Sequence, residues 1–442
     1  MNNPKKYFIL TYGCQMNELD SEIMAGILEQ KGYIQADHEK EADIIIMNTC
    51  SIRDLAERKA LGKMGKLMKK RSAERPLFGL AGCMATLKKE ELFKKLPCLD
   101  FVLGTNNIHE LDTIIDHYKT ERCAAHPLFQ KELNYAVAKR KDPLKAFVSI
   151  SRGCNNFCTY CVVPYTRGRE VSRSQKSIVD ECKQLVDKGY KEITLLGQNV
   201  NSWGNDKPEN QSFFPDLLEE INEIDGLLRL RFLTSHPKDI SKELMQAVGS
   251  LDKVCEYVHF PFQSGSDAIL KKMNRSYTRA SYLEKVAALK SYVPEVAIGT
   301  DIIVGFPGEG EKEFEETYSL LEELQCSQSF IFVYSPRKGT PAYRWKDQME
   351  EKAILEERHQ RLLQLYNEIV QKDLEQLIGK EVEVFIESTN GTQLKGKTRT
   401  FKSVVCKGNS SLIGTLQKVR IDAVKKHTLI GSLRNNLFSV EF

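Results

Sequence analysis

The chain opens on a pattern written three times: a short apolar run of strand type, a polar or glycine turn, then a cysteine. The runs are KYFILTYGC ending at Cys14, ADIIIMNTC ending at Cys50 and RPLFGLAGC ending at Cys83. A helical period follows each, most clearly in ELDSEIMAGILEQKGY, where Ile23, Ile27 and Leu28 share a face and Gly32 supplies a stop. The cysteines lie 36 and 33 residues apart, a spacing that suits one strand-helix-strand step. The pattern predicts an α/β domain over 1–126 built on a doubly wound parallel sheet.

A polar, basic stretch, QKELNYAVAKRKDPLK, then reads as a linker over 127–145. A second alternation follows, with strands expected at 146–150, 192–196, 230–234, 257–260, 297–304 and 330–334 and amphipathic helices between them. Six such units predict a partial (β/α)6 barrel over 146–376, with its chemistry at the C-terminal ends of the strands. A connecting helix is expected over about 350–378, without the sustained heptads of a coiled coil. Beyond Gly379 the pattern changes to short alternating strands between Gly, Asn and Ser turns, predicting a small β-barrel over 377–442.

Composition narrows the class. The 442 residues carry 64 Lys+Arg against 60 Asp+Glu, with 41% hydrophobic residues and 12 cysteines, which describes a globular chain of several domains. Neither a signal-peptide core nor an apolar run of membrane-spanning length is present in the sequence, so a cytoplasmic protein with no membrane partner is expected. In a reducing compartment the cysteines point to metal ligation, catalysis or packing instead of disulfides. A net charge of +4 says little, but it is unevenly placed: residues 391–434 hold ten Lys/Arg and a single acid, Asp422. A strongly basic β-barrel of this size is a recurrent way to hold an RNA backbone. A second basic run, RKALGKMGKLMKKRSAER, reads equally well as a solvated helix face.

The densest signal is SISRGCNNFCTYCVVPYTRGREVSRS, with Cys154, Cys158 and Cys161 in C-x3-C-x2-C spacing just after a strand. Three thiolates in one loop suit a [4Fe–4S] cluster, and since such a cluster takes four protein ligands, three leave one iron open. A Cys3His zinc site competes poorly, because no histidine lies between His126 and His236. Cys14, Cys50 and Cys83 would also converge, since a parallel sheet gathers the carboxyl ends of its strands at one edge. Against that stands plain packing of three small apolar side chains. Cys98, Cys123, Cys182, Cys255, Cys326 and Cys406 have no such placement and read as core.

The cluster loop after the first strand of a partial barrel resembles the radical S-adenosylmethionine (SAM) superfamily. TYGCQMNELDSE, NTCSIRDLAERKA, GCMA, RGCNNFCTYCVVPYTRGREVSR, HFPFQSGSD, DIIVGFPGE and FVYSPRKGTPA together resemble its methylthiotransferase family across essentially the whole chain, with a C-terminal barrel similar to the TRAM RNA-binding module. The resemblance implies two [4Fe–4S] clusters in catalytic roles. One, on Cys154, Cys158 and Cys161, would bind SAM at its open iron and cleave it to a radical. The other, on Cys14, Cys50 and Cys83, would supply sulfur, while a second SAM supplies the methyl group. The implied reaction adds a 2-methylthio group to N6-(dimethylallyl)adenosine at tRNA position 37, in the anticodon stem-loop. An electron donor such as a flavodoxin or ferredoxin, and a sulfur donor, are implied partners. Within this chemistry the alternatives are threonylcarbamoyladenosine in tRNA or a ribosomal protein as substrate. Outside it stand an iron–sulfur electron carrier or cluster scaffold, and an RNA-binding protein with structural clusters.

Several polar residues follow expected strands, where a barrel presents its ligand: Gly197 and Gln198, Ser235 and His236, Gln263 and Ser264, and Asp301. They are candidates for holding SAM, against a role in shaping loops; His236 and His259 also suit satisfied core histidines. Arg167, Arg169 and Arg173 follow the cluster loop and suit either phosphate and a splayed loop base, or acidic partners across a domain boundary.

Overall fold

Every residue of Ile44–Thr49 and of Leu77–Gly82 is buried, which an apolar strand achieves only in a sheet covered on both faces. They lie at the centre of a six-stranded sheet made by β1 (Lys6–Tyr12), β2 (Ile34–Gln35), β3 (Ile44–Thr49), β4 (Leu77–Gly82), β5 (Phe101–Leu103) and β6 (Cys123–Ala125). Its order is β2-β1-β3-β4-β5-β6 and all pairings are parallel. The structure, a computed structural model, describes residues 4–51, 54–69, 75–117, 123–125, 135–207 and 212–434. Residues 127–134 of the expected 127–145 linker, the centre of the basic run around Lys70, the Cys123 side chain and residues 435–442 lie outside that description.

Helix α1 (Gln15–Gln30) covers one face with Leu19, Ile23, Met24 and Leu28, while α2 (Asp54–Lys69) and α3 (Cys83–Lys88) help cover the other with Ala60, Met64 and Met84. The order reverses at β1, with β2 on one side and β3 on the other. This is the switch point at which doubly wound sheets open a crevice beyond their strand ends.

The second unit has the expected six parallel strands: β7 (Lys145–Ser149), β10 (Glu192–Leu196), β11 (Arg229–Phe232), β12 (Tyr257–His259), β13 (Ala297–Val304) and β14 (Gln328–Val333). Two further short strands, β8 (Ser151–Arg152) and β9 (Val171–Ser172), pair antiparallel and pinch the base of the cysteine loop. The six form two three-stranded sheets, β11-β10-β7 and β12-β13-β14, joined where Leu230 bridges Val254. The barrel is therefore partial, and its core runs from Val148 and Ile193 to Ile302 and Ile331.

The helix Lys352–Glu375 joins barrel and C-terminal module. Leu362, Leu365 and Ile369 belong to the barrel core, and Val370 and Leu374 to the next one. That next core fills a closed barrel of β15 (Glu381–Asn390), β16 (Gln393–Thr398), β17 (Ser403–Lys407), β18 (Leu416–Lys425) and β19 (Thr428–Leu433), in the order β15-β16-β17-β19-β18. It is docked on the N-terminal ends of the larger barrel's strands. Arg229 and Arg231 of β11 donate to the carbonyls of Lys397, Thr398 and Arg399 at 2.7–2.8 Å, Arg399 pairs with Glu256 just before β12, and Lys145 of β7 pairs with Glu387.

Candidate functional site

The register explains how three distant cysteines reach one edge of the sheet. Tyr12 pairs with Thr49, and Thr49 with Gly82, so β1, β3 and β4 end level with one another. Cys14, Cys50 and Cys83 are the first or second residues beyond those ends, and the Cys50 amide donates to the Tyr12 carbonyl at 2.8 Å. A buried polar network fixes the edge. Asn17 Nδ2 donates to Asn48 Oδ1 at 3.1 Å, Asn48 Nδ2 donates to the Asn17 carbonyl and Ser21 Oγ, and Cys14 Sγ donates to Asn17 Oδ1 at 3.4 Å. Gly82, at φ 93°, lies where a side chain would run into Asn48 and Thr49. Sequence patterning identified the cysteines but not Asn17, Ser21 or Asn48, which resemble ordinary helix and strand polar residues.

The second triad lies at the mouth of the barrel, in the loop between β8 and β9. Cys154 Sγ accepts from the amide and side chain of Asn156 at 3.5 and 3.4 Å, and Cys161 Sγ accepts from the Val163 amide at 3.5 Å. Such bonds favour thiolate, while burial works the other way and pushes the Cys161 thiol up to about 12. Among the described residues no three His, Cys, Asp or Glu side chains converge as ligands of a single ion. A cubic cluster asks instead for sulfurs spread around it, each on its own iron.

The two edges face each other. Asp20, at the start of α1, receives Arg167 at 2.8 Å and Arg152 at 3.4 Å, and Thr105 Oγ1 donates to the Thr166 carbonyl at 2.6 Å. On the other lip, Arg337 beyond β14 reaches Glu57 of α2, which also pairs with Lys88. The first unit thus closes over the barrel mouth, and although burial opposes the charge on Arg167, Asp20 first and then Cys83 and Cys14 raise the affinity of its guanidinium for its proton.

The arginines of the cluster loop divide. Arg167 and Arg173 are internal: Arg173 bonds Glu181 and the Ser149 carbonyl and stacks on Tyr135. Arg169 is exposed, its guanidinium 4.6 Å from the centre of the Phe157 ring, and Tyr165 beside it is 48% exposed.

The polar residues at the strand ends also divide. Gln198 Oε1 accepts from the Gly153 amide at 2.5 Å, so it holds the cluster loop. Gly197 has no room for a side chain, because Ser151 Oγ occupies that space. Ser235 Oγ is buried without a hydrogen-bond partner among the described residues, as are Ser151 Oγ, both side-chain polar atoms of Asn201, and Asp206 Oδ1. Asp301 Oδ2 lies 3.3 Å from His259 Nε2, and Gln263 adopts φ 66° where it bridges to β13. Ser264 is buried, its hydroxyl 3.2 Å from that of Thr317 on the outer helix Glu311–Leu324. His236 is held neutral, lowered to about 2 by burial and by Arg275 and Lys238, and its Nδ1 accepts from the Lys238 amide.

Residues 148–321 match the profile of the radical SAM superfamily and residues 6–104 that of the uncharacterized protein family UPF0004. The tRNA-2-methylthio-N(6)-dimethylallyladenosine synthase of Protochlamydia amoebophila is 54% identical, over 98% of this chain and 97% of its own length. The chain belongs to this synthase family. Its Clostridium botulinum (strain Loch Maree) member is 46% identical over 96% of both chains. The radical SAM methyltransferase TsrM from Kitasatospora setae, solved with cobalamin and a [4Fe–4S] cluster, superposes with a TM-score of 0.56 at 13% identity, covering 77% of this chain and 74% of its own. At that identity the likeness is one of fold.

Proposed function

We infer that the chain is a radical SAM methylthiotransferase that converts N6-(dimethylallyl)adenosine, next to the anticodon of tRNA, to its 2-methylthio form. The observation that carries this is the facing of two cysteine triads across Asp20, in a chain of the synthase family. Cys154, Cys158 and Cys161 would hold the SAM-binding [4Fe–4S] cluster, and Cys14, Cys50 and Cys83 a second one. When bound, the clusters and two SAM supply the electron, the radical chemistry, the sulfur and the methyl group.

The chain's own part is placement. The polar atoms of Ser151, Asn201, Asp206 and Ser235 left unpartnered among the described residues fit a ligand rich in amino, carboxylate and hydroxyl groups, with Asp301 within β13 and Gln263 bridged to it as further candidates. Gln198 holds the loop that carries the cysteines. His236, whose pKa burial lowers to about 2, is too weak a base for an adenine C2–H, itself too weak an acid for a protein base of ordinary pKa. Arg169 and Tyr165 offer a charged fork and a stacking face to a splayed loop nucleotide.

In the small barrel Lys395, Lys407, Lys418, Arg420, Lys425 and Lys426 are exposed and make no ion pair among the described residues, which suits backbone contacts to tRNA. We assign 1–126 to the second-cluster unit, 146–376 to the radical SAM core and 377–442 to the TRAM-like module, with a one-electron donor and a sulfur donor as further partners in the cytoplasm.

The test is anaerobic reconstitution with both clusters and a reductant. SAM should be cleaved to 5′-deoxyadenosine with stimulation by tRNA, and nucleoside mass spectrometry should show the methylthio product. Cys158→Ala should abolish cleavage. Cys50→Ala should retain cleavage and lose sulfur insertion, and methylthiolated tRNA from that variant would refute the second-cluster role.

A further inference from the structure

The cysteine loop is strapped to a segment far away in the chain, KMNR at 272–275. Thr159 donates its amide to the Met273 carbonyl at 3.0 Å and its hydroxyl to the Lys272 carbonyl at 2.9 Å. Asn274, in the left-handed region at φ 59°, donates to the Phe157 carbonyl at 3.1 Å. The next residue, Arg275, is 8% exposed and uses all three faces of its guanidinium: Nε donates to the Tyr277 hydroxyl at 2.8 Å, Nη2 to the Pro261 carbonyl at 3.1 Å, and Nη1 to Cys158 Sγ at 3.4 Å. Tyr277 is itself fixed, donating to the Phe262 carbonyl at 3.1 Å.

Among the described residues no carboxylate pairs with Arg275; its partners are a phenol, a carbonyl and a sulfur. A buried cation without a counter-charge is costly, so the negative charge this one is built to meet lies on the sulfur side.

We propose that Arg275 is a tuning residue for the cluster on Cys154, Cys158 and Cys161, setting its reduction potential through a charge-assisted hydrogen bond to the Cys158 sulfur. The inference rests on reading that triad as cluster ligands. One electron from an external one-electron reductant adds a negative charge to the cluster. A fixed cation donating to a ligand sulfur in a buried site stabilises that reduced state more than the oxidised one. Arg275 thus makes the cluster easier to reduce, and Tyr277 aims it.

The test uses the full chain with Cys14, Cys50 and Cys83 replaced by Ala, so that a single cluster reports, in a redox titration followed by electron paramagnetic resonance. Arg275→Gln should move the midpoint to more negative potential, by about tenfold in the reduction equilibrium or roughly 59 mV for a one-electron couple. Arg275→Lys, which keeps the charge and loses the fork, should fall between. An unchanged midpoint in Arg275→Gln at full iron content overturns the proposal. If neither Arg275 variant retains iron, Tyr277→Phe decides: a smaller shift in the same direction supports the proposal and an unchanged midpoint ends it. A parent chain that binds no iron at this triad would instead refute the ligand assignment.

Discussion

Asp20 carries two arginines from another unit of the chain while being almost wholly buried, and that makes it a demanding side chain. Removing one member of a buried charge set leaves the rest uncompensated, typically at a cost of about 3–5 kcal/mol. Arg167→Ala should therefore lower the stability of the apo chain by about that amount, read as a lowered denaturant midpoint, and a loss below about 1 kcal/mol would show Arg152 alone to suffice. Glu170 gives a different residue-scale prediction. Burial raises its carboxyl to about 7, against the hydrogen bond it accepts from Ser202 at 2.5 Å. The folded state thus holds a proton that the unfolded state has lost, so this contribution is full below the ordinary carboxylate pKa and vanishes as pH rises through about 7. Glu170→Gln should match the parent at pH ~5 and exceed it at pH ~8 by on the order of 1–3 kcal/mol. An advantage independent of pH would point to packing instead.

Among the elements, α1 is squeezed from both sides. It packs on its own sheet, and at Gly26 it touches the Val137 carbonyl so closely that a methyl group there would overlap it. Gly26→Ala, harmless or helpful in an isolated helix, should here cost about 1–3 kcal/mol and loosen the segment around Tyr135, seen as faster amide exchange at 135–139. This contact also marks the limit of the sequence reading. The strands carrying Cys14, Cys50 and Cys83 were legible because each is a solid apolar run ending in a turn, and the barrel strands because helices of clear period separate them. β2, β5 and β6 are only two or three residues long and leave no periodicity to read. Arg275, 117 residues from Cys158, sits in a segment with no motif and is found only once the chain is folded. Arg167 and Arg173 were visible as residues, but only their partners decide that they face inward.

At the scale of the whole molecule, the basic total of the small barrel separates into two kinds of charge. Arg399 and Lys402 are bound to Glu256 and Asp373, and they hold the module in place. Lys395, Lys407, Lys418, Arg420, Lys425 and Lys426 face solvent. Each exposed cation that contacts a phosphate should, when changed to Gln, reduce the slope of log affinity for tRNA against log salt by somewhat less than one. Arg399→Ala should instead lower the melting temperature and leave that slope nearly unchanged; the reverse pattern would exchange the two roles. The docking surface itself has a spatial consequence. The module sits at the opposite end of the strands from the cysteine loop, and a strand of six residues is roughly 20 Å long, more than twice the screening length of about 8 Å at physiological salt. Its charges cannot be felt at the mouth. On the proposed assignment of that basic face to tRNA, an RNA is gripped at two points a fixed distance apart, and a short hairpin that reaches only the mouth should be turned over with an elevated KM and an unimpaired kcat: the protein would work as a ruler as well as a reactor.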